Sequence, residues 1–324
     1  MAALSDSMAG SQEIVDLRTL VGRELDPLLL EETVEWERRL DWDFARSAEL
    51  VRQYADVRAL AGAALLDRGE VVGYGYSIVE NNKGLIGDLY VRAAWRDGRT
   101  GLRLFLLILD TLVRAPRLDR IESQLMLFDM EAARAVERER SVALYERVLM
   151  SCDCTALALP LSRGATARRF SVHPWADHHH EAAASVIALS YLNHVDSQIN
   201  DQYRSLAGAR RFLYNIVQFP GCGNFFKPGS LVAFDIETGW IAGIVLVSFV
   251  GPETGHITQL CVTPDSQGRG LGYELLRQSM ALLRLNGAKR VSLTVTSTNK
   301  DATALYQRCG FNEVRRFFAY VWEP

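Results

Sequence analysis

Three glycines punctuate one short stretch of this chain, Val262-Thr263-Pro264-Asp265-Ser266-Gln267-Gly268-Arg269-Gly270-Leu271-Gly272. Glycines let the backbone turn sharply and bring main-chain N–H groups against a ligand without interference from a Cβ. Just beyond, Leu271, Leu275, Leu276, Met280 and Leu283 recur at helical spacing, so the stretch opens an amphipathic helix. The unpaired amides and the positive dipole end of a helix start favour an anion. The stretch is therefore a candidate pyrophosphate cradle. A P-loop would need Gly-Lys-Ser or Gly-Lys-Thr, and the dinucleotide fingerprint would need glycine at 273, where Tyr273 stands. Neither pattern is met, and the glycines alone fit a plain strand-to-helix turn equally well.

The elements around this loop must hold it in place. Leu231 to Ile236 and Trp240 to Val250, joined by Glu237-Thr238-Gly239, predict a hairpin. His256 to Thr263 is a third strand, and the helix from Leu271 stops near Asn286-Gly287. Val291, Leu293 and Val295 alternate with Ser292, Thr294 and Thr296, which predicts a half-buried strand. A short helix, Asp301 to Arg308, and an extended segment, Phe311 to Trp322, complete the order. Upstream, a strand at Arg169 to Val172 precedes helices at Ala182 to Leu192 and Tyr203 to Val217. Within the short helix stands Tyr306, and a tyrosine on an amphipathic helix is ordinarily a core residue.

A second segment, Asn299-Lys300-Asp301-Ala302-Thr303-Ala304-Leu305-Tyr306-Gln307-Arg308-Cys309-Gly310-Phe311, follows 27 residues after Gly272. With it, the chain resembles the GCN5-related N-acetyltransferase (GNAT) superfamily. Gln267, Gly270 and Gly272 fill the family's motif A, and Asn299, Ala302, Leu305, Tyr306, Gly310 and Phe311 fill its motif B. Val262 and Pro264 also stand where the family has them. The resemblance is close from Leu231 to Val321 and looser before that.

That resemblance implies an α/β (α+β) fold of two tandem GNAT-like domains. Each is a mixed, mostly antiparallel central sheet flanked by helices, with a splayed V-shaped cofactor slot in the C-terminal one. It implies acetyl-CoA, or another acyl-CoA, as cosubstrate and no metal. Leu260, Cys261, Val262, Gln267, Gly268, Arg269, Gly270, Leu271, Gly272, Asn299, Ala302 and Tyr306 are the implied cofactor-binding residues. Catalysis falls to Tyr306 as general acid and to the backbone amide of Cys261 as oxyanion donor. Where relatives carry an acidic base this chain has Gln259, so His256, Glu253 or a water chain stand as alternatives. The implied reaction is direct attack of a primary amine on the thioester in a ternary complex. The competing reading is a non-catalytic acyl-CoA sensor or interaction module. The acceptor, a small amine or a peptide or protein amine, is expected near Asn193-His194-Val195-Asp196-Ser197-Gln198-Ile199-Asn200.

The N-terminal half repeats the order: a helix near Leu28 to Arg39, strands at Ala63 to Leu66, Val71 to Val79 and Leu85 to Val91, and a helix at Leu102 to Val113. Shifting by 171 residues puts Arg96 at Gln267, Arg99 at Gly270 and Gly101 at Gly272. Ala143-Leu144-Tyr145-Glu146-Arg147 echoes Ala304-Leu305-Tyr306-Gln307-Arg308. Asp88 sits where an acidic base would sit. The half reads as a degenerate copy serving as scaffold, since fold alone does not carry activity. The tandem arrangement resembles that of mycothiol synthases and peptidoglycan-building aminoacyl transferases. The expected division is a flexible N-terminus over 1–12, a degenerate domain over 13–162 and a catalytic domain over 168–324.

Composition narrows the remaining classes. A chain of 324 residues with 48% apolar and 23% charged residues reads as two globular domains. A net charge of -3 provides no field for nucleic acid or an anionic membrane. Apolar runs such as Leu104 to Leu109 are too short to span a bilayer. The opening residues do not read as a secretory signal, so the cytoplasm is expected. Cys152, Cys154, Cys222, Cys261 and Cys309 show no disulfide or zinc spacing and read as reduced, mostly buried thiols. His178-His179-His180 reads as a solvated helix start rather than a metal site.

Overall fold

The computed structural model describes residues 12–155, 164–219 and 223–324. Residues 1–11, residues 156–163, where the first domain is expected to end, and Cys222 lie outside these. The chain divides into two compact units, Met1–Tyr145 with Phe317–Pro324, and Glu146–Arg316. The chain thus enters the second unit at Glu146, ahead of the expected division, and its last residues return to the first.

Unit 1 runs β1 (Glu13–Asp16), α1 (Gly22–Leu40), α2 (Ala45–Asp56), β2 (Gly62–Asp67), β3 (Glu70–Glu80), β4 (Lys83–Val91), α3 (Arg99–Val113), β5 (Arg120–Gln124) and α4 (Met130–Arg140). Its neighbouring strands are antiparallel except β4 and β5, which pair in parallel from Lys83↔Arg120 to Ile86↔Ser123. Residues Ala319–Trp322 pair with β5 on its other side. One core lies under α3 and α4, around Leu104, Phe105, Ile108 and Phe128. The other lies under α1 and α2, around Leu25, Leu28, Val51 and Tyr74.

Two expectations for this half need correction. Residues Ala143–Arg147 are not a second copy of the Tyr306 helix but the start of strand β6 (Ala143–Asp153). Its Arg147–Asp153 stretch forms a seven-residue antiparallel ladder with Arg290–Thr296, and a five-residue likeness in letters carries no periodicity to oppose such a ladder. The helix at that place in unit 1 is α4, opened by Asp129, whose carboxylate accepts from Glu131 N and Ala132 N at 2.9 Å each. Nor does Arg99 replace the left-handed glycine before α3, because Gly98 (φ 74°) fills that place and Arg99 is the first helical residue.

Unit 2 continues from β6 through α5 (Gly164–Arg169), β7 (Phe170–Pro174), α6 (His180–Ser190), α7 (Asp196–Ile199), α8 (Leu206–Gln218), β8 (Asn224–Phe225), β9 (Leu231–Asp235), β10 (Ile241–Gly251), β11 (Thr254–Val262), α9 (Leu271–Leu285), β12 (Arg290–Thr296) and α10 (Lys300–Arg308) to β13 (Asn312–Trp322). Its sheet order is β6-β12-β11-β10-β9-β7, antiparallel except for β11 and β12. Strand β10 is central and almost wholly buried, as its continuous apolar run demands. Leu271, Leu275, Leu276, Met280 and Leu283 of α9 bury one stripe against the sheet together with Tyr306 and Phe311. Helices α6 and α8 cover the opposite face through Ala183, Ala184, Ile187, Ala209 and Leu213.

Candidate active site

Strand β11 pairs with β12 only from Thr254↔Arg290 to Ile257↔Leu293. Against β10, Leu246 faces Gln259 while Val247 faces Ile257, so Thr258 is an extra residue, a β-bulge. A bulge bends its strand and increases the local twist, and from this point the ladder between β11 and β12 is absent. The residues past it on both strands, Thr258 to Val262 and Thr294 to Val295, line a cavity of about 200 Å³.

The glycine loop adjoins it. Gly268 (φ 71°) and Gly270 (φ 80°) are both left-handed, conformations that side chains rarely adopt. A Cβ on Gly268 would meet nothing, so that site demands glycine for its backbone and not for space. Gln267 Nε2 donates to Val262 O at 3.2 Å, and Arg269 Nε donates to Asp265 O at 3.2 Å. Thr166 Oγ1 donates to Arg269 O at 2.8 Å, fixing the loop from α5. No side chain caps the N-terminus of α9, so its first amides remain available to an anion. A second cavity of about 1000 Å³ lies over this helix start, and all twelve expected cofactor-binding residues line it, from Leu260 to Val262, from Gln267 to Gly272, and Asn299, Ala302 and Tyr306.

Tyr306 lines both cavities. Burial pushes its phenol well above the usual tyrosine range, Asp196 adds to the rise, and Arg147 opposes it. Asn299 also lines both, but its side chain has a second duty. Its Oδ1 accepts from Ala302 N at 3.1 Å and so caps α10. Burial pushes the Cys261 thiol up to about 12, which disfavours a reactive thiolate there.

The expected alternatives for a base are scattered. His256 is buried, with Nδ1 2.9 Å from Ser292 Oγ, and lines neither cavity. Burial pulls its imidazole down to about 4. Glu253 pairs with Lys289 at 2.6 Å on the surface. Gln259 does face the smaller cavity, where its Nε2 donates to Tyr191 Oη at 2.9 Å and its Oε1 accepts from Tyr203 Oη at 3.3 Å. The histidine run does start a helix, but it is not solvated throughout. His179 is buried, and its Nδ1 accepts from Ala176 N at 3.0 Å. Cys152, Cys154, Cys261 and Cys309 are free and buried.

Several cavity residues carry no local signal in the sequence. Arg147 lies opposite Thr296 in the β6–β12 ladder, and its Nη1 donates to Thr296 Oγ1 at 2.9 Å and to Asp196 Oδ1 at 3.2 Å. Thr296 also donates to Asp196 Oδ1. From the expected acceptor loop, His194 and Asp196 line the smaller cavity, delivered by a left-handed turn at Asn193 (φ 60°). The rings of Tyr191 and Tyr203 stack at 4.1 Å and wall off the far side. Only the unusual length of polar chain between α6 and α8 could have pointed to these residues.

The acetyltransferase (GNAT) family model matches residues 199–311, within this same unit. The GCN5-related N-acetyltransferase from Sphaerobacter thermophilus superposes over 96% of this chain and 95% of its own, with a TM-score of 0.67 at 16% identity. The chain has the GNAT fold. A tandem GNAT protein from the clavulanic acid biosynthesis pathway superposes over 97% of this chain and 98% of its own, with a TM-score of 0.64 at 16% identity. The two units thus share the fold of that tandem GNAT protein, and the residues that the acetyltransferase model matches lie in unit 2. Among curated sequences, the mycothiol acetyltransferase of Beutenbergia cavernae is 46% identical over 91 residues. That stretch is 28% of this chain and 31% of that protein, so the chain spans under a third of the length of this GNAT relative.

Proposed function

We propose that unit 2 transfers an acetyl or other acyl group from acyl-CoA to a primary amine by direct attack in a ternary complex. The observation that carries this reading is the convergence of the two cavities on Tyr306 beside an uncapped helix start. Amides of the Gln267–Gly272 loop and of the first turn of α9 would hold the pyrophosphate. The gap past Ile257 and Leu293, where the β11–β12 ladder ends, would serve as the V-shaped slot for the pantetheine arm, whose amides can pair with the edge of β11. The cosubstrate supplies a thioester whose carbonyl carbon accepts the amine.

In that arrangement the Cys261 amide would stabilise the oxyanion and Tyr306 would protonate the departing sulfur. A phenol raised by burial stays protonated across the neutral range, so it is always loaded as a donor. The raised Cys261 thiol supports direct attack over an acyl-cysteine relay. Unit 1 would serve as scaffold. A second reading, acyl-CoA sensing without turnover, is favoured by one feature, namely that Gln259 cannot take a proton. Free-thiol release from acetyl-CoA, followed across a panel of amines, separates the two. The transfer reading expects amine-dependent release, and tight binding with no release across the panel would replace it by the sensor.

A further inference from the structure

The smaller cavity is lined by one arginine and one aspartate, and the two pair with each other. Arg147 and Asp196 form an ion pair whose side chains are 13% and 14% exposed. Asp196 Oδ1 is further occupied by the Thr296 hydroxyl. The cavity's imidazole, His194, accepts from Asp196 N through Nδ1 at 3.1 Å, and its Nε2 lies 3.1 Å from Asn299 Nδ2. The remaining polar side chains of the lining are uncharged hydroxyls and amides, Tyr191, Tyr203, Thr258, Gln259 and Asn299 among them.

We infer that the Arg147–Asp196 pair is a specificity element that keeps the acceptor site electrically neutral, so that it selects compact amines whose other groups are uncharged hydroxyls. A spectator ammonium would find no unpaired carboxylate, and a spectator carboxylate would find a guanidinium already engaged. Either would be desolvated without full compensation, and specificity arises from that difference. Arg147 enters from β6 and Asp196 from α7, both outside the matched residues 199–311. The inference rests on the acyltransfer reading.

Three amines of similar size test it: serinol, diaminopropane and β-alanine. Thiol release from acetyl-CoA is measured with the wild type, Arg147→Gln, Asp196→Asn and the double variant. The wild type is expected to prefer serinol over both charged amines by about tenfold in kcat/KM. Arg147→Gln leaves Asp196 unbalanced and should raise the diaminopropane-to-serinol ratio by about tenfold. Asp196→Asn should raise the β-alanine-to-serinol ratio instead, and the double variant should return toward the wild-type ranking. Ratios unchanged in both single variants that still bind acetyl-CoA would overturn the inference. Where a variant no longer binds acetyl-CoA, the wild-type ranking decides, and diaminopropane or β-alanine used as well as serinol overturns it. If the wild type binds acetyl-CoA but releases thiol with no amine, the acyltransfer reading fails by itself. The charge inference is then decided by calorimetry of the three amines on CoA-loaded protein, where serinol binding no tighter than the others, or no binding, overturns it.

Discussion

In unit 1, α3 starts after Gly98 (φ 74°), and the amides of Arg99 and Thr100 donate to Asp97 Oδ1 at 3.0 and 2.8 Å. In unit 2, α9 starts after Gly270 (φ 80°), and no side chain caps it. The anchors upstream are the same, since Arg96 Nε donates to Val91 O as Gln267 Nε2 does to Val262 O. Between anchor and left-handed glycine, unit 1 has the single residue Asp97, whereas unit 2 has Gly268 and Arg269. One residue fewer puts a carboxylate of the chain itself onto the amides that a pyrophosphate would use, and those amides hold the Asp97 carboxyl below the usual carboxylate range in turn. Both units also keep the bulge, at Gly87 and Thr258, and both end their parallel pairing just before it. The difference teaches that the same frame can present its helix start either capped by its own carboxylate or open.

A second contrast lies one residue past each bulge. Gln259 in unit 2 bonds two tyrosines, whereas Asp88 in unit 1 is buried against Glu32. Glu32 accepts from Tyr74 Oη at 2.9 Å and from Trp36 Nε1 at 3.3 Å and hydrogen-bonds Asp88. Two buried carboxyls in contact cannot both ionise cheaply. Burial raises Asp88 to about 6, and burial with the charge of Asp88 holds Glu32 well above the usual carboxylate range.

The largest expected effect separates unit 2 from unit 1. Tyr306→Phe should lower turnover by about 10²–10³ while leaving acetyl-CoA affinity within about twofold; equal losses in both would remove the proton-donor role. The next concerns unit 1. Its two carboxyls have folded-state pKa values above their unfolded ones, so the stability they confer is present below pH ~4 and is lost as pH rises through about 6 and beyond. Asp88→Asn should flatten that decline by about 2 kcal/mol between pH 4.5 and 8, read from urea unfolding at each pH. An unaltered slope would show that the pair does not hold a proton. Smaller still, Asp97→Ala should cost about 1 kcal/mol by removing the α3 cap, seen in the same unfolding curves. No change would mean that the amides of Arg99 and Thr100 are equally well served by water.

What the sequence disclosed follows chain locality. The glycine loop, the helix after it and the Asn299–Phe311 segment are runs of consecutive residues, and each is found on the expected element. The site's charge partners are separated by 49, 100 and 149 residues, so no window could join Arg147, Asp196 and Thr296. Arg147 in particular lay in a stretch whose letters suggested a helix, and only the ladder with β12 makes it a strand. The shifted glycine in unit 1 was hidden for a similar reason. A fixed offset cannot register a one-residue shortening, while the hydrogen bonds of Arg96 and Asp97 display it directly.

The contrast between the two helix starts is tested most directly by calorimetric titration of acetyl-CoA into the wild type and into Arg269→Asp, which gives unit 2 the carboxylate found just before the left-handed glycine in unit 1. One binding site per chain is expected, with affinity reduced at least tenfold in the variant because the new carboxylate caps α9 and repels the phosphates. Two sites per chain, or undiminished binding by the variant, would contradict the account.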